Sequence, residues 1–296
     1  MRIFAALDIG GTFIKHGIVN DKGEVASRFE IPTEAHMGAK HLLERICDII
    51  GSLLKDNPGI AGIGISTAGI VDSDTGTIVY ANDNFPGYAG AKIKETIEKK
   101  FNIPAIVNND VNSAALAELW VGAARGRKTF FCMTVGTGIG GAIVIDGRLY
   151  RGANSMAAEI GYQNKMAPGC YYENRASVSA LIEMVKAELG ADENMNGVSI
   201  FKNINAGDAL YNSIFERWIE ELCAGIANVI CAYDPGLVLI GGGVSKQKIM
   251  IDAVRNKLAV LLPPVFIKGT TLFATGCGND AGMIGSVYEF INKRAE

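Results

Sequence analysis

The sequence predicts an α/β protein built from two related domains, and three observations carry that reading. A strand, a glycine turn, a return strand and an acidic-glycine turn occur twice, with Gly10 and Gly136 about 126 residues apart. Apolar runs of strand length alternate with amphipathic helical segments along most of the chain. With 296 residues, folding can remove roughly 75% of the unfolded surface from water, enough for two cores.

The first copy of the repeat opens the chain. Ile3-Phe4-Ala5-Ala6-Leu7 reads as a strand, Asp8-Ile9-Gly10-Gly11-Thr12 as its turn, and Phe13 to Val19 as the return strand. Gly10 and Gly11 can adopt positive φ and carry no Cβ, so their amides can approach a phosphate, with Asp8 where a metal accompanying it would lie. Taken alone, these residues fit an ordinary hairpin turn better.

A long amphipathic helix follows from Gly38 to Leu54, with Leu42, Leu43, Ile46, Ile49, Ile50, Leu53 and Leu54 at helical spacing. Ile60 to Ser66 reads as a buried strand, and Gly69 beyond it lets a loop come close to a ligand. The turn-rich segment Ala81 to Gly87 contains Asn84 and precedes a helix from about Ala91 to Phe101. The strand Ala105-Ile106-Val107 then delivers Asn108-Asn109-Asp110-Val111-Asn112 to a strand-to-helix junction, where open α/β sheets place ligand chemistry. A helix cap accounts for one of these polar residues but not for the cluster.

The second copy runs from the strand Phe130 to Val135, through Gly136-Thr137-Gly138-Ile139-Gly140-Gly141, to Ala142 to Ile145 and the Asp146-Gly147 turn. Gly136-x-Gly138-x-x-Gly141 also fits the dinucleotide fingerprint, with Glu159 about 20 residues on. That fingerprint requires a helix directly after the glycines. The β-branched run that stands there sets an NAD-binding Rossmann enzyme aside. Two phosphate-cradling hairpins across a cleft would grip one nucleotide, and this echo turns the reading of Asp8 to Thr12 toward a phosphate loop.

Glu159 sits among small residues, Glu173 precedes a helix from Val178 to Leu189, helical segments fill Asp208 to Ala232, and the strand Leu237 to Ile240 ends at Gly241-Gly242-Gly243. Three glycines after a buried strand permit a flat ring to lie against backbone, although a plain turn would use one or two of them. A last helix is expected from Ala281 to Lys293.

Composition bounds the partners. A formal net charge of −3 without any basic run leaves no footprint for nucleic acid. The apolar start is too short for a signal peptide and no apolar stretch reaches membrane-spanning length, so a cytoplasmic protein with no membrane partner is expected. The six cysteines are scattered without a C-x-x-C pair and read as reduced, buried thiols. His16, His36 and His41 all lie near the start, which argues against a zinc cluster farther along.

Asp8-Ile-Gly-Gly-Thr12, Asn109-Asp110, Thr137-Gly-Ile-Gly-Gly141, Glu159-Ile-Gly161 and Gly241-Gly-Gly243, in this order, resemble the ROK family of bacterial sugar kinases and related repressors. The resemblance implies two actin-like, hexokinase-like (ribonuclease H-like) α/β domains flanking a cleft: residues 1–115 with the C-terminal helix 281–296, and residues 116–280. It implies ATP with Mg²⁺, bound by Asp8, Gly10, Gly11, Thr12, Thr137 and Gly138, with Asp8 an indirect partner of Mg²⁺ and Gly241, Gly242 and Gly243 lining the adenosine pocket. Asp110 matches the catalytic aspartate that takes the proton from the sugar hydroxyl, usually on C6. Asn84, Asn109, Asp110, Glu159 and Glu173 match positions that hold the sugar, and Gly69 matches the small residue packed against it.

Departures from the family pattern bear on the substrate. The residue after the loop threonine is Phe13 rather than a basic one, and Lys15 receives no role. The histidine after Glu-x-Gly is Tyr162, and the cysteine-rich zinc loop is reduced to Gly169-Cys170, so no zinc is expected. With Tyr171-Tyr172 nearby, the pattern resembles the zinc-less branch containing β-glucoside kinases, ahead of glucokinase or N-acetylmannosamine kinase. A homodimer is the family habit. A sugar sensor without catalysis is the non-enzymatic alternative; a ROK repressor's DNA-binding domain is not expected, since the glycine turn begins by residue 8.

Overall fold

The computed structural model describes residues 1–163, 169–190 and 195–292, and the chain divides into two compact units. The first comprises Met1–Gly126, Leu149–Ala157 and the residues from Cys277; the second comprises Arg127–Arg148 and Ala158–Gly276.

In the first unit the chain forms β1 (Ile3–Ile9), β2 (Phe13–Asn20), β3 (Val25–Pro32), α1 (Ala39–Asp56), β4 (Ile60–Thr67), the small hairpin β5 (Ile70–Asp72) and β6 (Thr77–Tyr80), α2 (Ile93–Phe101), β7 (Ala105–Asn109) and α3 (Asp110–Trp120). The main sheet has the order β3-β2-β1-β4-β7. β1 is antiparallel to β2 and parallel to β4, which in turn is parallel to β7. On α1 the buried positions Leu42, Ile46, Ile49, Ile50 and Leu53 recur at helical spacing and face the sheet core formed by Leu7, Ile9, Ile63, Ile65 and Val107.

The second unit contains β8 (Phe130–Val135), β9 (Ile139–Ile145), the start of β10 (Arg148–Tyr150), whose last two residues fall in the segment grouped with the first unit, α4 (Glu173–Ala176), α5 (Val178–Leu189), α6 (Gly197–Asn205), α7 (Ala209–Tyr233), β11 (Leu237–Gly241), α8 (Lys248–Leu261), α9 (Pro264–Gly269) and β12 (Thr271–Ala274). Its sheet order, β10-β9-β8-β11-β12, repeats that of the first unit strand for strand. The duplicated hairpin predicted from the sequence therefore belongs to a duplicated sheet. Asp146 and Gly147, with φ of 51° and 76°, make the tight turn between β9 and β10 that an Asp-Gly pair favours. Trp218 on α7 is fully buried and donates its indole N–H to Ser177 O at 2.9 Å, fastening α7 to the start of α5.

The chain returns to the first unit as α10 (Ala281–Asn292). The expected helix 281–296 is observed to Asn292, and its last four residues lie outside the described ones. α10 crosses α3 so closely that a Cβ on Gly285 would stand 1.7 Å from Ser113 O. This packing explains why α3, which runs to Trp120 and so past the residue 115 boundary of the sequence reading, stays whole within the first unit.

All six cysteines are free, but only Cys47, Cys132 and Cys223 are buried; Cys170 and Cys277 are half-buried and Cys231 is exposed on α7. Among the described residues no helix is long and apolar enough to cross a membrane, and no cluster of three or more His, Cys, Asp or Glu side chains is gathered for a metal ion.

Candidate active site

In the first unit the chemistry gathers at the carboxyl ends of β1, β4 and β7. Register decides which side chains meet: Asp8 stands opposite Lys15 across the hairpin and opposite Ser66 across the parallel pair. The Asp8 carboxylate accepts from Lys15 Nζ at 3.1 Å and from Ser66 Oγ at 2.8 Å. Both partners escaped the sequence reading, although a four-residue turn between Ile9 and Ile14 already pairs Asp8 with Lys15. The carboxylate also rests on the first turn of α10, where a Cβ on Gly282 would lie 2.3 Å from its Cγ and Oδ1. Anions are stabilised at such helix starts. Gly282→Ala is therefore expected to displace Asp8 and, if the loop holds phosphate as the resemblance implies, to weaken turnover with the phosphate-bearing substrate by roughly a hundredfold, read by steady-state kinetics beside a melting curve.

Gly10 and Gly11 do not use the positive φ that the sequence allowed them. Their lack of a side chain serves space instead: Gly11 faces open surroundings, and Gly10 N donates to Phe13 O at 3.1 Å within the turn. Thr33, fully buried, braces the loop from behind, its Oγ1 donating to Gly10 O at 2.6 Å and its N to Thr12 O at 2.9 Å. Thr12 is exposed.

At the end of β7, Asn109 is the N-cap of α3. Its Oδ1 accepts from Val111 N at 2.9 Å and Asn112 N at 3.1 Å, while its Nδ2 donates to Gly69 O at 3.0 Å. The capping role that the polar cluster left open thus falls to Asn109, which also ties down the glycine loop. Gly69 itself has φ +98° and a would-be Cβ 2.6 Å from Tyr80 O, so no other residue fits without strain. Asp110 follows as the first residue of α3 and accepts from Val111 N at 2.9 Å. It is exposed to solvent yet set deep among protein atoms. That desolvation first, and the Asp8 charge second, push its carboxyl from 3.8 up to about 6, against the lowering effect of the Val111 N–H. Asn84 lies exposed in its turn, its N donating to Asn82 Oδ1 at 3.2 Å.

Behind this cluster lies a closed triangle that the sequence did not reveal. Arg151 donates to Asn108 Oδ1 at 3.0 Å and to Glu289 Oε1 at 2.6 Å, and Asn108 donates to Glu289 Oε2 at 3.0 Å. It joins the segment Leu149–Ala157, β7 and α10 at the residue just before Asn109-Asp110.

In the second unit, β9 follows the glycine turn directly and pairs antiparallel with β8, so the Rossmann arrangement is absent there. Glu173 turns its carboxylate onto this turn, accepting from Ile139 N at 3.3 Å; a Cβ on Gly138 would lie 2.5 Å from it and one on Gly161 3.3 Å. Glu159, half-buried, precedes the short turn Ile160–Tyr162. Gly242 has φ +90°, and a Cβ there would meet Val135 O at 2.2 Å, while Ser245 Oγ donates to its carbonyl at 2.8 Å. Gly241 closes β11, and Gly243 joins Gly136 and exposed Thr137 in the lining of a pocket of about 330 Å³. Val178, Ile182, Val198 and Phe201 supply its apolar wall, from α5 and α6, which no local motif marked. Size and lining suit a flat apolar ring with a polar tail.

The aromatic pair Tyr171-Tyr172 is divided between core and surface. Tyr172 is 2% exposed, belongs to the core, and donates its hydroxyl to Leu222 O at 2.6 Å. Its neighbour Tyr171 remains outside, against Tyr162.

Residues 4–293 match the ROK family. The chain belongs to the ROK family. Among its ROK relatives, a β-glucoside kinase of Listeria monocytogenes is 31% identical over 98% of this chain and 97% of its own length. A glucokinase of Halalkalibacterium halodurans is likewise 31% identical, over 96% of this chain and 93% of its own. The crystal structure of a ROK family glucokinase from Streptomyces griseus in complex with glucose and AMPPNP has a TM-score of 0.81 at 27% identity, covering 96% of this chain and 97% of that one. The actin-like fold is thus shared over nearly the whole length.

Proposed function

We propose that this chain, a sugar kinase of the ROK family, transfers the γ-phosphoryl group of ATP to the 6-hydroxyl of a glucose unit, in a β-glucoside such as cellobiose. The observation that carries the chemistry is Asp110: an exposed carboxylate at the start of α3 whose proton affinity is raised to about 6, close to the pH at which it would work. In this reading Asp110 takes the proton of the sugar hydroxyl as that oxygen forms its bond to the γ-phosphorus and the bond to the β,γ-bridging oxygen breaks, releasing ADP. Asn109 holds Gly69 and the start of α3 in place, and Asn84, Glu159 and Glu173 orient sugar hydroxyls. Gly10, Gly11, Thr12, Thr137 and Gly138 face the phosphates, and the pocket beside Gly243 takes the adenosine. Most of the acceleration comes from positioning and charge neutralisation.

The oxygen donors at Asp8 suit Mg²⁺, which keeps several waters and takes one or two carboxylates beside the substrate's phosphates. Asp8 would hold it through water, and the ion would neutralise charge on the phosphates.

The β-glucoside preference is supported by the relative of that name and by Tyr162 in place of the family histidine. Free glucose is the second reading, supported by the glucokinase relative at equal identity. A coupled ADP-release assay with glucose, N-acetylmannosamine, cellobiose and gentiobiose decides between them. Turnover with cellobiose or gentiobiose well above glucose is expected. Equal turnover on glucose and cellobiose removes the disaccharide preference, and none on any sugar removes the kinase reading.

A further inference from the structure

Two tyrosines of the second unit remain at the surface where a core could have used them. Tyr162 and Tyr171 are each 36% exposed, and their rings meet edge to face with centroids 5.5 Å apart and planes at 79°. A buried aromatic ring removes about 150–250 Å² from water, so keeping two together at the surface forgoes stability that packing would supply.

The pair is held from behind. Tyr172 N donates to Gln163 O at 2.6 Å, joining the two segments that carry the rings. Tyr171 N donates to Asn174 Oδ1 at 3.2 Å, and the Tyr172 ring anchors the same segment in the core. Tyr162 N donates to Glu159 O at 3.3 Å, which closes the turn after that carboxylate. The segments also meet where the Glu173 carboxylate lies against Gly161. Each ring is therefore two or three residues from a carboxylate expected to hold sugar hydroxyls.

A pyranose presents hydroxyls at its rim and C–H groups on its faces. Carboxylates select the rim and aromatic rings cover the faces. We infer that Tyr162 and Tyr171 form a platform for the second sugar ring of a β-linked disaccharide, beside the ring held by Glu159 and Glu173. The inference rests on the reading of this chain as a kinase acting on a sugar hydroxyl, and it deepens that reading by naming what selects a disaccharide over a monosaccharide. Tyr172, one residue away, has no part in it because its ring is spent on the core.

The test is steady-state kinetics with ATP and Mg²⁺ on cellobiose and on glucose, for the wild type, Tyr162→Ala, Tyr171→Ala and the double variant Tyr162→Phe with Tyr171→Phe. Each alanine variant is expected to raise KM for cellobiose roughly tenfold, the loss of about one aromatic stacking contact, while kcat/KM for glucose stays within about twofold. The double phenylalanine variant keeps both rings and is expected to keep the cellobiose KM. Equal losses on both sugars, or an unchanged cellobiose KM in both alanine variants, overturn the platform. A wild type active on glucose but not on cellobiose or gentiobiose also overturns it and leaves the kinase reading standing. A wild type inactive on every sugar defeats the kinase reading and the platform with it.

Discussion

Replacing Asp110 by Asn is expected to lower kcat at least roughly a hundredfold while sugar binding, measured by titration, is largely kept. The amide preserves the shape and the contact to Val111 N but cannot take a proton. The wild type should show an acidic limb in kcat/KM, rising through about pH 6 as Asp110 ionises, and the variant's residual rate should lack it. Near-normal kcat in the variant would remove Asp110 as the base. Stability should move the other way. Because the folded pKa of about 6 lies above the ordinary 3.8, the folded chain keeps a proton that the unfolded chain loses, so this group's contribution is present at low pH and lost as pH rises through about 6. Asp110→Asn should therefore melt above the wild type at pH 7, with the gain shrinking toward pH 4. A variant less stable than the wild type at pH 7 would contradict the strain assigned to this carboxylate.

The second large effect concerns Glu118, a fully buried carboxylate on α3. Its Oε2 accepts from Ala123 N and its Oε1 from Cys277 N, both at 2.7 Å. Ala123 lies just before the chain leaves the first unit at Gly126, and Cys277 is where it returns. Glu118→Ala leaves the two part-buried contacts without this acceptor and a cavity in place of a fully buried side chain, and should cost roughly 2–3 kcal/mol by urea unfolding. Glu118→Gln keeps one acceptor but points an amide donor at the other N–H, so it should recover only part of that loss. A Glu118→Ala effect below about 1 kcal/mol would show that the clasp is dispensable. The neighbouring Cys277 thiol, pushed up to about 12 by burial first and by Glu118 next, stays protonated at this contact.

What could be seen in the sequence was local. The helix Val178–Leu189, the Asp146-Gly147 turn and the two glycine turns each depend on a few consecutive residues, and each stands where their chemistry puts it. The strand Val25–Pro32 went unread because it is an edge strand with most of its residues exposed, which leaves no alternating pattern. Long-range partners were equally silent: Arg151 meets residues 43 and 138 positions away, and Gly282 makes room for a carboxylate at the other end of the chain. The burial of Tyr172 was not legible either, because an aromatic residue beside a binding motif looks the same in sequence whether its ring points outward or into the core.

The placement of α10 has a consequence for how the protein is made. Phe4, Ala6 and Val19, which appear early in synthesis, share their cluster with Met283, Val287 and Phe290, which appear last. The second unit is nearly contiguous and can fold as it emerges from the ribosome. The first sheet must wait with this apolar face incompletely covered, by Val25 and Trp120 but not by α10, until the whole second unit has been translated. Its closure is a long-range step that comes late in the history of each molecule, and during that interval the nascent chain is most in need of protection from aggregation.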